Sequence, residues 1–221
     1  MNAKGNVLFL ILIAVVLFAA LSYAVTQSSR GGGNADSETL ALEAVQIIQY
    51  ADSVKLAVQR ILLTGGYDIS QVDFEDPGSN NTNCTVDKCR VFSSADFGVS
   101  YRAPKVEWLE PDNGDAWWGE YRAGHFPVDG VGTAGIELIW FLPNIREDLC
   151  MKINENLGLT GALTAPPQAV LGINLSGWYQ GGASGGNIIR DAADVLEGQE
   201  VGCFETSDSA RYVFYNVLYI R

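Results

Sequence analysis

Between Lys4 and Arg30 the chain carries no charge, and residues 6–25 read NVLFLILIAVVLFAALSYAV. A run without a polar stripe predicts a helix that is apolar on every side. Twenty residues of helix rise about 30 Å, the thickness of a hydrocarbon core, so residues 6–27 are expected to span a membrane. Three successive glycines in SSRGGGNA, residues 28–35, predict a break, because glycine is costly inside a helix. The pattern then changes. Leu40, Ala44, Ile47, Ile48, Ala51, Val54, Val58, Ile61 and Leu62 recur at steps of three and four, which predicts an amphipathic helix over residues 36–65. Asp36 or Ser37 would cap its start, and Gly65 and Gly66 would stop it.

From residue 66 to residue 221 the texture is turn-rich, and a β-rich head is expected. Residues 76–83 (DPGSNNTN) read as a loop. Residues 91–101 and 105–109 read as short strands. Residues 136–142 (IELIWFL) read as a buried strand ending before Pro143. A short helix is expected over residues 145–157, with Asn144 as its cap, Gly158 as its stop, and Ile145, Leu149 and Ile153 on its core face. Residues 211–220 (RYVFYNVLYI) are apolar or aromatic at nearly every position, the mark of a strand covered on both faces. The fold class expected is therefore α+β: a long N-terminal helix, half membrane-spanning and half amphipathic, followed by a β-rich, disulfide-bearing head.

Composition narrows the function classes. The chain has 221 residues with 14 basic and 26 acidic side chains, a net charge of −12. That balance argues against nucleic-acid binding, which needs clustered Lys and Arg. A single histidine, His125, excludes sites needing two imidazoles. Lys4 beside the amino terminus would keep the short end cytoplasmic and export everything after Arg30. The same leader also admits a secretory signal cut after Ala24, at Ser22-Tyr23-Ala24. Four cysteines without C-x-x-C spacing fit two disulfides in an exported chain. Three pairings are possible, of which Cys84–Cys89 and Cys150–Cys203 are favoured. Asn80, Asn83 and Asn174 stand in N-x-S/T triplets, acceptors only where the cell glycosylates such sites.

Candidate chemistry is sparse. Gly182-Ala-Ser184-Gly-Gly186 matches G-x-S-x-G, but a poor strand precedes it and His125 lies upstream instead of downstream, so a glycine loop is the better reading. Asp112, Asn113 and Asp115 gather hard oxygen ligands suited to calcium, although a D-N-G-D run is also an ordinary turn. Trp117, Trp118 and Tyr121 could stack on a glycan or a partner, or fill a core. No enzyme, cofactor or resident metal is expected.

The leader Met1-Asn-Ala-Lys4-Gly5, the apolar residues 6–25 and the amphipathic residues 36–63 together resemble type IV pilins and the related pseudopilins. The resemblance covers about the first third of the chain. It implies cleavage between Gly5 and Asn6 and a helix that sits in the inner membrane before packing at the centre of a filament. It also implies a role as structural subunit of an extracellular, cell-surface filament built from copies of this chain. In the family a Phe or Met usually opens the mature chain and a Glu stands fifth; here those positions are Asn6 and Leu10. Val7, Leu10, Ala14, Leu17 and Leu21 would form the assembly interface, and small residues such as Ala14, Ala19 and Ala20 would allow close helix approach. The alternative is a membrane-anchored exported module that binds a glycan or partner protein.

Overall fold

The computed structural model describes residues 4–28, 32–74, 81–92, 96–112, 114, 118–132, 137–159, 164–169, 188–207 and 211–220. The chain divides into two compact units, Met1–Leu40 and Ala41–Arg221.

In place of one long N-terminal helix there are two, α1 (Lys4–Ser28) and α2 (Gly32–Leu63). Among the described residues no helix is long and apolar enough to cross a membrane. This overturns the expected membrane-spanning half and, with it, the inner-membrane localisation. α2 starts at Gly32 and not at Asp36 or Ser37. Two glycines are tolerated at its beginning because each costs about 1 kcal/mol against Ala, and they open a cooperative helix of 32 residues in all.

In the second unit, the stripe read from the sequence faces the core: Ala44, Ile47, Ala51, Val54, Val58 and Ile61 are all buried. It covers one face of a four-stranded antiparallel sheet of order β1-β2-β4-β3, formed by β1 (Arg122–Phe126), β2 (Glu137–Ile145), β3 (Val201–Glu205) and β4 (Tyr212–Tyr219). The helix is tied down by Asn216 of β4, whose amide donates to Asp52 Oδ1 at 3.0 Å, and by Lys55 paired with Glu200 at 2.6 Å. Trp140 of β2 stacks on Tyr121 at 5.4 Å and on Phe74 at 5.6 Å. Ile139, Phe141, Val213, Tyr215 and Val217 alternate onto the opposite face. There they pack with Phe204, Ala169, Ile189 and Leu196. Both faces of the sheet are thus covered, which is why β2 and β4 are almost continuously apolar.

Several expectations fail locally. Strand β2 does not stop before Pro143 but runs on to Ile145, with a bulge between Pro143 and Ile145 where Asn144 takes φ 59°. Asn144 is therefore part of the sheet. α3 (Glu147–Asn156) starts after Arg146 instead, without a side-chain cap. Gly158, at φ +76°, follows as expected at its C-terminal end. Residues 91–101 hold no strand among those described, because the segment folds back and the Val99 N–H donates to the Val91 carbonyl. Residues 105–109 contain a 3-10 turn, Val106–Trp108, whose period of three buries Trp108.

Candidate functional site

The most distinctive surface is on α1. Phe9, Ile11, Leu12, Ile13, Val15, Val16, Leu17, Phe18 and Tyr23 are all exposed, Phe18 by 74% and Leu17 by 64%. Scattered exposed Leu or Val residues are ordinary on protein surfaces, but a contiguous apolar surface this long marks an interaction site. Of the expected interface residues, Ala14 and Leu17 are exposed on it. Val7, Leu10 and Leu21, like the processing pair Gly5 and Asn6, lie in α1 with side chains outside the described set. Phe9, Phe18 and Tyr23 belong to the same surface, in keeping with an apolar pattern that runs all round the helix.

The expected aromatic platform is not assembled on the surface. Tyr121 is 1% exposed and packs between Tyr50 and Trp140. Trp118 is half-buried, and its indole N–H donates to the Glu110 carbonyl at 2.7 Å. Trp117 lies outside the described residues. Burial, with smaller contributions from Tyr50 and Tyr101, pushes the Tyr121 phenol well above its ordinary range. Its hydroxyl stays protonated at neutral pH, and no acceptor meets it among the described residues.

At the calcium candidate, Asp112 Oδ1 accepts the Gly114 N–H at 2.9 Å, the local bond of a turn. Asn113 and Asp115 lie outside the described residues, as do Ser184 and its flanking glycines, Asn80 and Asn174. No cluster of three metal-ligating side chains occurs among the described residues. His125 is buried on β1 opposite Leu138.

Both favoured disulfides are present, Cys84–Cys89 and Cys150–Cys203. The second joins α3 to β3 and is reinforced by Asn154, one helical turn beyond Cys150. The Asn154 amide donates to the Cys203 carbonyl at 2.8 Å, and its Oδ1 accepts the Cys203 N–H at 2.9 Å. Both main-chain polar groups of an edge-strand residue are thereby satisfied by one buried side chain, which blunts that edge. The sequence signal was an Asn four residues after a Cys, on the face that carries Leu149 and Ile153.

No protein-family model matches this chain, no curated protein matches it, and no solved structure matches its fold.

Proposed function

We propose that this protein is a structural subunit of a type IV pilin-like filament, assembled from copies of itself through α1. The observation that carries the reading is the exposed apolar surface of Phe9, residues 11–18 and Tyr23. Leaving it in water costs about 25 cal/mol for each Å². Copies of the same helix offer matching apolar surroundings, and Ala14, Ala19 and Ala20, exposed among the larger side chains, permit close backbone approach. A contact between copies that repeats without closing makes an open helical array. Two disulfides fit a subunit that works in an oxidising environment.

The test is Leu17→Lys, read by electron microscopy and sedimentation of the full chain. Wild type should form filaments. The variant should lose them while its disulfides and circular dichroism stay unchanged, since an unpaired buried charge costs several kcal/mol. Wild type that stays monomeric at all concentrations, or a variant that assembles as well as wild type, would refute the proposal.

A further inference from the structure

The second unit contains a cleft of about 440 Å³, within the range of small-molecule sites. One wall is α2, which presents Gln46, Gln49 and Ser53 at steps of three and four, hence on one helix face. The facing segment contributes Arg102 and Lys105. In a chain of net charge −12 two cations on one small cavity set its sign. Among the described residues Arg102 meets no carboxylate; its guanidinium lies 5.9 Å from the Tyr50 ring centre. Lys105 lies 5.1 Å from the Trp108 ring centre and reaches one described carboxylate, the exposed Glu107, at 3.8 Å.

Two further features of the lining bear on what the cleft can hold. Trp108 and Tyr121 also line the cleft, 6% and 1% exposed, and neither the indole N–H nor the phenol O–H finds an acceptor among the described residues. Both donor atoms are themselves sealed from the surface, so these residues form the buried base of the cleft and not its binding groups. The α2 wall, for its part, is neutral and amphoteric. Each glutamine amide both donates and accepts, and the Ser53 hydroxyl, which donates to the Tyr50 carbonyl at 2.6 Å, keeps its oxygen free to accept. Groups of this kind in a row match a row of hydroxyls, which likewise donate and accept.

We propose that this cleft binds an acidic saccharide, with the sugar carboxylate on Arg102 and Lys105 and the ring hydroxyls along Gln46, Gln49 and Ser53. The proposal does not depend on whether α1 builds a filament.

Isothermal titration of the full chain with trigalacturonate, its neutral methyl ester and inorganic phosphate tests it. Trigalacturonate should bind, and the ester about tenfold more weakly or worse, because a charge-assisted bond is lost. Phosphate should not compete. Arg102→Gln and Gln49→Ala alter exposed side chains, so folding should persist while affinity falls about tenfold in each. Absence of binding up to about 10 mM would overturn the proposal. So would equal affinity for the ester, equally strong competition by phosphate, or unchanged affinity in both variants.

Discussion

Tyr121 and Tyr215 are buried alike but stand in opposite hydrogen-bonding states, so they should respond differently to the loss of a hydroxyl. Tyr215 donates to the Gln199 carbonyl at 3.0 Å, whereas Tyr121 has no acceptor among the described residues. Tyr215→Phe should cost about 1 kcal/mol at neutral pH, and Tyr121→Phe should gain about as much by removing an unpaired group. Urea denaturation of both variants checks the pair. Alkaline pH gives a second readout. Burial raises both phenols above the ordinary value, and Tyr212, partly desolvated and bonded to Glu147, is pushed up to about 12. Below about pH 10 tyrosines are protonated in both folded and unfolded chains and contribute no pH dependence. Above it the unfolded chain releases protons that the folded chain retains, so stability must fall as pH rises. The melting temperature should therefore drop steadily beyond pH 10 and drop less in Tyr121→Phe. A profile equally steep in that variant would contradict the burial argument.

The cross-links should differ in strength for a reason set by chain length. Cys150 and Cys203 are 53 residues apart, whereas Cys84 and Cys89 are five apart. By loop-closure entropy the long link is worth about 4 kcal/mol and the short one about 2. Replacing Cys150 and Cys203 together by Ser should then destabilise the head about twice as much as replacing Cys84 and Cys89. Similar losses would show that native packing, not unfolded-chain entropy, dominates. The elements themselves were unequally legible. The core stripe of α2 and the strand β4 were readable because each repeats one period for many residues. β1 (RAGHF) and β3 (VGCFE) were missed because five residues that include a glycine show no period at all. Those glycines have a packing cause invisible in the sequence. A Cβ on Gly124 would sit 2.7 Å from the Phe126 ring, and one on Gly202 would sit 3.0 Å from the Tyr215 ring. The candidate site was legible where it depended on hydrophobicity alone, as along α1. It was illegible where it depended on long-range placement, as for Tyr121, whose neighbours Tyr50 and Trp140 come from distant segments.

At the scale of the whole molecule, the exposure around α1 sets a test that separates the proposed filament from a small closed oligomer. Successive helical residues are rotated by about 100°, so Val15, Val16, Leu17 and Phe18 together sample every side of the helix. All four are exposed, at 62%, 57%, 64% and 74%. A helix paired with one neighbour buries a single stripe, and a lysine on the opposite side would stay in water at almost no cost. A helix at the centre of an array is surrounded, and a lysine on any side would be buried without a partner. The four single lysine substitutions should accordingly each abolish sedimentable assemblies, with the soluble fraction retaining both disulfides. If one or two of them were harmless, α1 would be a one-sided dimer contact and the filament reading would fail. If all four were harmless, α1 would take no part in self-association.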